Sequence, residues 1–324
     1  MIEIQNITKI IQDELVLFDE KIHQILENDN VLLNEVIDFV FKKNGKRIRP
    51  ILVFLAAKAC GIPNNTTLST AVALELLHTA SLLHDDVVDE SNERRSQPSV
   101  NNVFDNKVAI LSGDYFLASS LSLATESKDL SILQLFTALG KDLSKGEIQQ
   151  LYTSKKHVFS EELYFRIIRQ KTAALFAVCS SSGALSVGAS DFMVDLFYKL
   201  GECLGILFQI KDDIFDYFSD ENIGKPTGND IREGKVTLPL IYAINKTNSA
   251  EYQTIIQRIQ NNQFTEDDIV SVVEFAKANG GIEYAEKVMN EYKSQALDLI
   301  SKLDNKEIKL TFSEFVEYFM VRDK

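Results

Sequence analysis

The chain has 324 residues, and 45% of them are hydrophobic, which is enough for one large buried core or for two ordinary domains. Its formal net charge of −13 at pH 7 argues against a nucleic-acid or anionic-membrane partner, because both require a basic surface. The three cysteines are scattered and form no C-x-x-C pair, a usage that is typical of a reducing, cytoplasmic compartment.

The first part of the chain has the apolar spacing of helices, interrupted by polar turns. Residues 1–43 carry apolar side chains at helical intervals, and a break at 44–45 leads into the basic segment KRIRP. A second helix is predicted over 51–60, and a long helix begins near Thr67 and ends in the acidic sequence HDDVVDE. The segment SNERRSQPSVNN that follows has the proline and asparagine residues of a loop.

The rest of the chain is helical in pattern, without proline from residue 99 to residue 225. The uncharged run 172–190 could nearly span a bilayer, but its five serines and two glycines predict a helix packed inside a bundle. We therefore expect no transmembrane segment, and the N-terminal residues lack a signal-peptide pattern. No strand shows sustained alternation and no linker divides the chain, which predicts an all-α fold with one domain over residues 1–324.

Two acidic clusters end apolar helices with the same Asp-Asp-x-x-Asp spacing. They are Asp85, Asp86 and Asp89 in LLHDDVVDES, and Asp212, Asp213 and Asp216 in QIKDDIFDYF. The first and last aspartates of each cluster project from one helix face, so their negative charges repel each other. Apolar neighbours add a desolvation cost, so these carboxylates are destabilising unless cations compensate their charge. Oxygen ligands suit Mg²⁺, which bridges carboxylates to substrate phosphates, so the clusters predict a magnesium site. A solvated helix end is the alternative, and it explains one cluster more easily than two identical ones.

Basic residues accompany these clusters in an otherwise acidic chain. Guanidinium groups match phosphate oxygens in bidentate fashion and lysine acts as a point charge, so placed cations predict a ligand with phosphate groups. Ordinary surface solvation is the alternative, and it is weakest for Lys171, which adjoins the uncharged run. The cations are Lys46, Arg47, Arg49, Arg94, Arg95, Lys171, Lys225 and Lys235.

The motifs of this chain, taken in order, resemble those of the trans-isoprenyl diphosphate synthases, or polyprenyl synthetases, over nearly its whole length. They are GKRIRP (45–50), LLHDDVVDES (82–91), RR (94–95), GDYFLA (113–118), GEIQQL (146–151), KTA (171–173), FQIKDDIFDY (208–217) and GKPTGNDIREGKVTLP (224–239). One Asp-Asp-x-x-Asp motif is weak evidence, whereas eight motifs in the family's order are specific. Ser96 departs from the family pattern, because glycine is common after the paired arginines.

This resemblance implies a class I isoprenoid synthase fold, a single large helical bundle around a central cavity. It implies a cytoplasmic, homodimeric enzyme that condenses isopentenyl diphosphate with an allylic diphosphate, such as farnesyl or geranylgeranyl diphosphate. Three Mg²⁺ ions are expected on the allylic diphosphate in such enzymes. Their principal ligands would be Asp85, Asp89 and Asp212, with Asp86, Asp213 and Asp216 in support.

The resemblance also implies roles for the other polar residues. The allylic diphosphate would be held by Arg94, Lys171, Lys225 and Lys235. Isopentenyl diphosphate would be held by Lys46, Arg49, Arg95 and His78. Thr172 and Gln209 would present oxygen atoms to the allylic cation. The C-terminal Arg322 and Lys324 resemble a basic tail near the isopentenyl site, and a frayed charged terminus is the alternative.

Residues before the first cluster predict the product length. In the family that the motifs resemble, bulk one or two helical turns before the first aspartate stops chain growth. Here those positions hold Ala80 and Ser81, then Leu77, which predicts a linear all-trans product of roughly 25 to 40 carbons. Bulk elsewhere could close the tunnel earlier, so a short-chain farnesyl or geranylgeranyl diphosphate synthase is the alternative. The candidates for such a floor are Phe104, Phe116 and Phe136.

Two other classes of protein remain as alternatives. A class I terpene cyclase needs no second diphosphate site, and its second metal motif of Asn, Ser or Thr, and Glu is absent from this sequence. A non-catalytic synthase subunit usually lacks one aspartate cluster, whereas this chain has both. His84 adjoins Asp85, but beside clusters with only oxygen ligands we expect it to be packed or hydrogen-bonded rather than bound to metal.

Overall fold

The computed structural model describes residues 4–42, 45–94, 97–156, 158–218, 227–247, 250–261 and 263–322. These ranges are almost entirely helical, so the all-α prediction is confirmed. The helices are α1 (Ile4–Thr8), α2 (Gln12–Leu26), α3 (Val31–Phe41), α4 (Ile48–Cys60), α5 (Asn65–Val88), α6 (Val100–Phe104), α7 (Asn106–Glu126), α8 (Leu130–Lys155), α9 (Glu161–Ile168), α10 (Ala174–Ser186), α11 (Asp191–Phe215), α12 (Asn229–Arg232), α13 (Leu238–Thr247), α14 (Ala250–Gln260), α15 (Glu266–Ala278), α16 (Gly281–Ser301) and α17 (Lys306–Val321). A 3₁₀ turn (Lys9–Ile11) joins α1 to α2, and a π-helical turn (Arg169–Ala173) joins α9 to α10.

Two local features differ from the sequence prediction. The helical pattern of residues 1–43 is divided between α2 and α3, because Asn30 has an extended backbone and its side chain accepts a hydrogen bond from the Leu33 N–H at 3.0 Å. After α5, strands β1 (Glu93–Arg94) and β2 (Gln97–Pro98) pair as an antiparallel hairpin. Strands of two residues have no alternation to detect, so periodicity could not reveal them.

Helix α10 lies at the centre of the bundle and contains most of the uncharged run. All of its residues except Leu185 are buried, and it packs between α4 and α11. Its small residues allow this close approach: a Cβ on Gly183 would lie 2.2 Å from the Val53 carbonyl oxygen of α4. On α11, a Cβ on Gly201 would lie 2.4 Å from the Phe176 carbonyl oxygen. The prediction that the uncharged run packs inside the bundle is confirmed.

Helix α7 is the one described helix that is long and apolar enough to cross a membrane. In the fold it packs along α5, where the Ser120 hydroxyl donates to the Ala73 carbonyl oxygen at 2.7 Å. Phe116 and Leu123 of α7 are buried in the same hydrophobic core as the rest of the bundle. One face of α7 therefore belongs to the core of the bundle.

Helices α5 and α11 carry the two acidic clusters at their C-terminal ends. Helix α5 begins at a capping box in which Asn64 and Thr67 exchange side-chain and backbone hydrogen bonds, and it runs for 24 residues. Helix α11 begins after Ser190, whose hydroxyl accepts from the Met193 N–H, and it runs for 25 residues. Firm caps and buried apolar faces keep both helices continuous as far as their aspartates.

Candidate active site

The ends of α5 and α11 are joined by a series of short contacts. At the end of α5, Asp89 Oδ2 lies 3.4 Å from Lys235 Nζ. The Lys235 N–H donates to the Asp230 carbonyl oxygen at 2.8 Å, and the Asp230 N–H donates to Asp216 Oδ2 at 3.0 Å. Asp216 caps α11, so the structure places the two acidic clusters close to each other on one side of the bundle.

The aspartates of the first cluster have different surroundings. Asp86 is buried and accepts a hydrogen bond from Arg94 Nε at 2.7 Å. Burial raises the pKa of Asp85 to about 6, and the positive charge of Lys171 opposes this shift. The protein therefore satisfies the Asp86 carboxylate, whereas the charged form of Asp85 is disfavoured and would gain from a further cation.

In the second cluster, protein donors occupy both oxygens of Asp213. The Tyr164 hydroxyl donates to Oδ2 at 2.6 Å, and Gln209 Nε2 donates to Oδ1 at 2.8 Å. Burial raises the pKa of Asp213 to about 7, although these two hydrogen bonds lower it. Asp216 accepts from the Asn229 N–H at 2.8 Å as well as from the next N–H in the chain. Both carboxylates are therefore fixed in orientation by the protein.

Asp212 is paired with Arg322, next to the C-terminus, whose side chain is only 5% exposed. The same guanidinium donates to the Phe208 carbonyl oxygen at 3.1 Å and lies 4.2 Å from the centroid of the Phe208 ring. Burial raises the pKa of Asp212, and Arg322 opposes this shift. Arg322 is thus an ordered part of the site rather than a frayed terminus, whereas Lys324 lies outside the described residues.

Lys171 and Thr172 lie in the π-helical turn between α9 and α10. Turns of this kind are frequent at functional sites because they re-aim the side chains they carry. Gly146 of α8 allows the turn to come close, since a Cβ there would lie 2.9 Å from Lys171 Cγ. Lys171 forms an ion pair with Glu147 and lies 3.4 Å from Gln150 Oε1. The GEIQQL motif therefore supports Lys171, a role that the sequence did not reveal.

A cavity of about 180 Å³ brings together side chains from both sides of the site. Within it, the Thr172 hydroxyl donates to Gln209 Oε1 at 2.7 Å. The polar residues that line it include Lys171, Thr172, Gln209, Asp213, Asp230 and Lys235. The structure thus unites residues that are more than sixty positions apart in the chain.

The charges in this cavity are strongly coupled. Burial, together with the charges of Asp213 and Asp216, raises the pKa of Asp230 well above its usual value. Burial lowers the pKa of Lys235, but the negative charges of Glu233 and Asp89 raise it by more than burial lowers it. The pKa of Lys235 therefore lies above its usual value, and the side chain stays positively charged. Several acidic side chains thus surround one lysine, and this excess of negative charge favours a ligand that binds together with metal cations.

Two contributors to this cavity were not predicted as site residues. Asp230 belongs to the GNDIREGK part of a motif, but it is not part of an Asp-Asp-x-x-Asp cluster. Tyr164 lies two helical turns before Lys171, which was the only sequence signal that could have pointed to it. Both are recognised from the side chains that they approach in the fold.

His78 and Arg94, predicted for the two diphosphates, line a second cavity of about 140 Å³ together with Arg47. His78 is 8% exposed and lies on α5, whereas Arg94 lies in the hairpin after it. Arg95 and Lys225, which were predicted for the same ligands, lie outside the described residues. The structure therefore brings two of the predicted diphosphate residues together beside Asp86.

Lys46 and Arg49 lie near the start of α4, on either side of its first residue. The charge of Lys46 contributes to lowering the pKa of Asp212, and its Nζ lies 5.7 Å from the Tyr318 ring centroid. Burial raises the pKa of the Cys179 thiol, and the positive charge of Arg49 opposes that shift. Lys46 therefore lies near the second acidic cluster, and Arg49 lies close to α10.

Gly113 of the GDYFLA motif makes room for His84. A Cβ at Gly113 would lie 2.4 Å from His84 Nε2, so the His84 ring would have to move. The same Nε2 lies 3.3 Å from the Ile110 carbonyl oxygen and 3.4 Å from Asp114 Oδ1. His84 is thus packed and hydrogen-bonded against α7, as predicted.

The fold and site define a class of protein: an all-helical enzyme in which two long helices bring paired aspartate clusters and placed cations to one side of the bundle. Residues 30–276 match the model of the polyprenyl synthetase family. Over 312 residues the chain is 32% identical to octaprenyl diphosphate synthase from Haemophilus influenzae, a match that covers 95% of this chain and 94% of that protein.

Solved structures give the same result. Geranylgeranyl pyrophosphate synthase from Bacteroides thetaiotaomicron is 44% identical with a TM-score of 0.87, covering 98% of this chain and 99% of that one. Polyprenyl synthase from Caulobacter crescentus CB15, complexed with calcium and isoprenyl diphosphate, is 28% identical with a TM-score of 0.91, covering 99% and 98%. The chain belongs to the polyprenyl synthetase family and is a prenyltransferase. The family resemblance seen in the motifs is confirmed.

Proposed function

We propose that this prenyltransferase condenses isopentenyl diphosphate with farnesyl or geranylgeranyl diphosphate to give a linear all-trans polyprenyl diphosphate. The observation that carries the proposal is the cavity in which Lys171 and Lys235 lie beside the second acidic cluster while Lys235 also contacts Asp89 of the first. Such a condensation needs two diphosphate sites. We assign the second diphosphate to the basic residues Lys46, Arg49 and His78. A terpene cyclase would not require this second group of basic residues.

The acidic clusters fit Mg²⁺ by the chemistry of their donors. Asp85, Asp89 and Asp212 offer carboxylate oxygens, and carboxylate oxygen is the ligand type that Mg²⁺ prefers and combines with phosphate oxygens. Burial raises the pKa of Asp85 and Asp212, so cations would stabilise their charged forms. A related structure contains calcium and isoprenyl diphosphate. We propose three Mg²⁺ ions here, which when bound stabilise negative charge on the departing diphosphate.

Within that frame the chain's own residues have distinct tasks. Lys171, Lys235 and Arg94 would hold the allylic diphosphate, joined by Lys225, and stabilise the charge that grows as the allylic C–O bond breaks. Thr172 and Gln209 would face the resulting cation with oxygen atoms. The double bond of isopentenyl diphosphate attacks that cation, and the proton then lost passes to the released diphosphate. Holding both reactants in a closed cavity contributes much of the rate.

A cavity beside α5 supports the proposed path for a growing chain. A cavity of about 470 Å³ lies between α5, α7 and α8 and includes Leu77, two helical turns before the first acidic cluster. Ser81 lies one turn from Leu77 on the same face, so a chain leaving the cluster passes a small residue. Of the three candidate floors, Phe136 lines this cavity, whereas Phe104 and Phe116 pack against aromatic rings of α3.

We propose a product of roughly 25 to 40 carbons, since Ala80 and Ser81, one turn before the first acidic cluster, are small and Leu77, two turns before it, lines this cavity. The 44% identity to a geranylgeranyl pyrophosphate synthase favours the shorter alternative. The two proposals differ only in where the chain stops, and therefore the product itself decides between them.

Purified protein incubated with Mg²⁺, farnesyl diphosphate and labelled isopentenyl diphosphate should form a polyprenyl diphosphate longer than geranylgeranyl, as measured by chromatography of the dephosphorylated product. Chelation with EDTA should abolish product formation, and added Mg²⁺ should restore it, because the carboxylate clusters require a cation. A product that ends at farnesyl or geranylgeranyl length would establish the short-chain alternative. A cyclic hydrocarbon would indicate a terpene cyclase, and inactivity without a second protein would indicate a non-catalytic subunit.

We also propose that residues 1–324 act as one domain in a cytoplasmic homodimer. All three cysteines are free thiols, as a reducing compartment favours. Helices α7 and α8 expose large apolar side chains that a second subunit would cover. These are Ile110, Leu111, Leu130, Ile148 and Leu151, each between 41% and 67% exposed.

Sedimentation velocity should therefore show a particle of twice the 36.5 kDa chain mass. Changing both Leu111 and Ile148 to Glu should shift this particle toward a monomer, because paired charges in an apolar interface are costly to bury. Val270→Glu is the matched control, since Val270 is 54% exposed but lies on α15. A dimer that survives the double substitution would place the interface elsewhere, and a monomeric wild-type protein would refute the proposal.

A further inference from the structure

We propose that Asp213 is a positioning residue rather than a metal ligand. With Tyr164, it fixes the direction of a hydrogen-bond chain so that Thr172 turns its oxygen lone pairs toward the reacting carbon. This inference deepens the proposed prenyl transfer and rests on it, because it concerns the stabilisation of the allylic cation. It assigns a function to Tyr164, for which the sequence motifs give none.

Four side chains from three elements form the chain. Tyr164 of α9 donates to Asp213 at 2.6 Å, Gln209 of α11 donates to Asp213 at 2.8 Å, and Thr172 of the π-helical turn donates to Gln209 at 2.7 Å. All four line the same cavity of about 180 Å³. This hydrogen-bond chain thus runs from the buried carboxylate of Asp213, which is only 2% exposed, to the hydroxyl of Thr172, next to Lys171 in sequence.

The chemistry of each group sets the direction of every hydrogen in this chain. Both oxygens of Asp213 accept a hydrogen bond, one from the Tyr164 hydroxyl and one from Gln209 Nε2, so the amide nitrogen of Gln209 faces Asp213. The amide oxygen of Gln209 then faces Thr172 and accepts its only hydroxyl hydrogen. The lone pairs of the Thr172 oxygen remain for the cavity. A cation formed there meets the negative end of a fixed dipole, which needs no reorganisation during the reaction.

The same contacts argue against Asp213 as a metal ligand. Each of its oxygens already accepts a short hydrogen bond from a side chain, and the carboxylate is buried between α9 and α11. Asp212 differs from it, because its protein donor is the Arg322 guanidinium at one oxygen. We therefore assign metal binding in the second cluster to Asp212, whereas both oxygens of Asp216 accept from backbone N–H groups at the helix end.

Asp213→Asn tests the direction of the chain without changing the size of the side chain. The buried Tyr164 hydroxyl needs an acceptor, so the new amide should turn its oxygen to Tyr164 and its nitrogen to Gln209. The Gln209 amide then flips, its nitrogen donates to Thr172, and the Thr172 hydrogen points into the cavity. Catalysis should fall by about 100-fold in kcat, the loss typical of a misdirected transition-state dipole.

Rescue by a second substitution separates this role from a structural one. In the double variant Asp213→Asn with Tyr164→Phe, the new amide is no longer held by the tyrosine and can turn its oxygen back to Gln209. We expect kcat to recover by about tenfold over Asp213→Asn alone, whereas independent structural damage would add to the loss. Circular dichroism and the Tm of each variant check that the fold is retained.

Metal binding provides a readout that does not depend on turnover. Isothermal titration calorimetry of Mg²⁺ with an unreactive allylic thiolodiphosphate should give a Kd for Asp213→Asn within about threefold of wild type, whereas Asp212→Asn should weaken binding at least tenfold. Equal weakening in both variants would make Asp213 a ligand and overturn the proposal, as would a double variant less active than Asp213→Asn. If wild-type protein formed no polyprenyl diphosphate, the proposed function would fail and this inference with it. Wild-type activity together with a fully active Asp213→Asn would refute the inference alone.

Discussion

Replacing Asp85 with Asn should lower the turnover number by about 10³-fold while the protein stays folded. Asp85 stands at the end of α5, where burial raises its pKa to about 6 although the positive charges of Lys171 and Arg94 oppose that shift. Asn keeps the size of the side chain but cannot supply the charge that a bound cation requires. Steady-state kinetics at saturating Mg²⁺ and both diphosphates measure the effect.

The stability of the Asp85→Asn variant should not fall with its turnover number. Because burial disfavours the charged form of Asp85, a neutral Asn should leave the free energy of unfolding unchanged or slightly higher in metal-free protein. Asp212→Asn should instead destabilise the fold, because it would leave the buried guanidinium of Arg322 without its carboxylate. We expect the free energy of unfolding to fall by about 1–3 kcal/mol. Urea unfolding distinguishes the two variants.

Asp195→Asn is the control for both measurements. Asp195 is 59% exposed on α11 and pairs with the exposed Lys199 one helical turn away, so both turnover and stability should remain close to those of wild type. If Asp85→Asn retained more than about a tenth of wild-type turnover, the electrostatic role assigned to the first acidic cluster would be incorrect.

Replacing Ser81 with Phe should shorten the product to farnesyl or geranylgeranyl diphosphate. Ser81 lies one helical turn from Leu77, and Leu77 opens into the cavity between α5, α7 and α8. An aromatic ring at this position would stand between the reacting end of the chain and that cavity, which would stop growth after few additions. The aspartates are untouched, so initial condensation should continue within about threefold of the wild-type rate. Chromatography of the products measures the change.

A reciprocal variant and a control make this prediction specific. Phe136→Leu, which removes the ring that lines the cavity, should lengthen the product by at least one isoprene unit. Ser294→Phe adds the same ring to an exposed position on α16 and should leave the product distribution unchanged. Unaltered products from both Ser81→Phe and Phe136→Leu would show that the growing chain does not pass through this cavity.

The parts of the site that were predictable from sequence are those set by local rules. The spacing of Asp85 and Asp89 on one helix face follows from helical geometry, and the same rule applies to Asp212 and Asp216. The burial of α10 follows from its uncharged, small-residue composition. The order of the motifs then indicated the family, because the residue types and the spacing within each motif can be read without knowing how the rest of the chain folds.

Other features depend on contacts between distant segments. Arg322 reaches Asp212 across 110 positions, and Tyr164 reaches Asp213 across 49, so no local pattern could join them. The second acidic cluster consists of three aspartates, yet Asp213 accepts a hydrogen bond at each oxygen from a side chain while Asp212 pairs with an arginine. Which carboxylate is available to a ligand is decided by the neighbours that the fold provides.

The sequence by itself therefore determined the helical class, the two acidic clusters and the family, since periodicity, composition and motif order are properties of neighbouring residues. Only the tertiary structure decided that Asp89 and Asp216 are joined through Lys235, that Phe136 lines the cavity near Leu77, and how each aspartate is satisfied. The physical reason is that charge compensation and packing act over a few ångströms in space, whatever the separation along the chain.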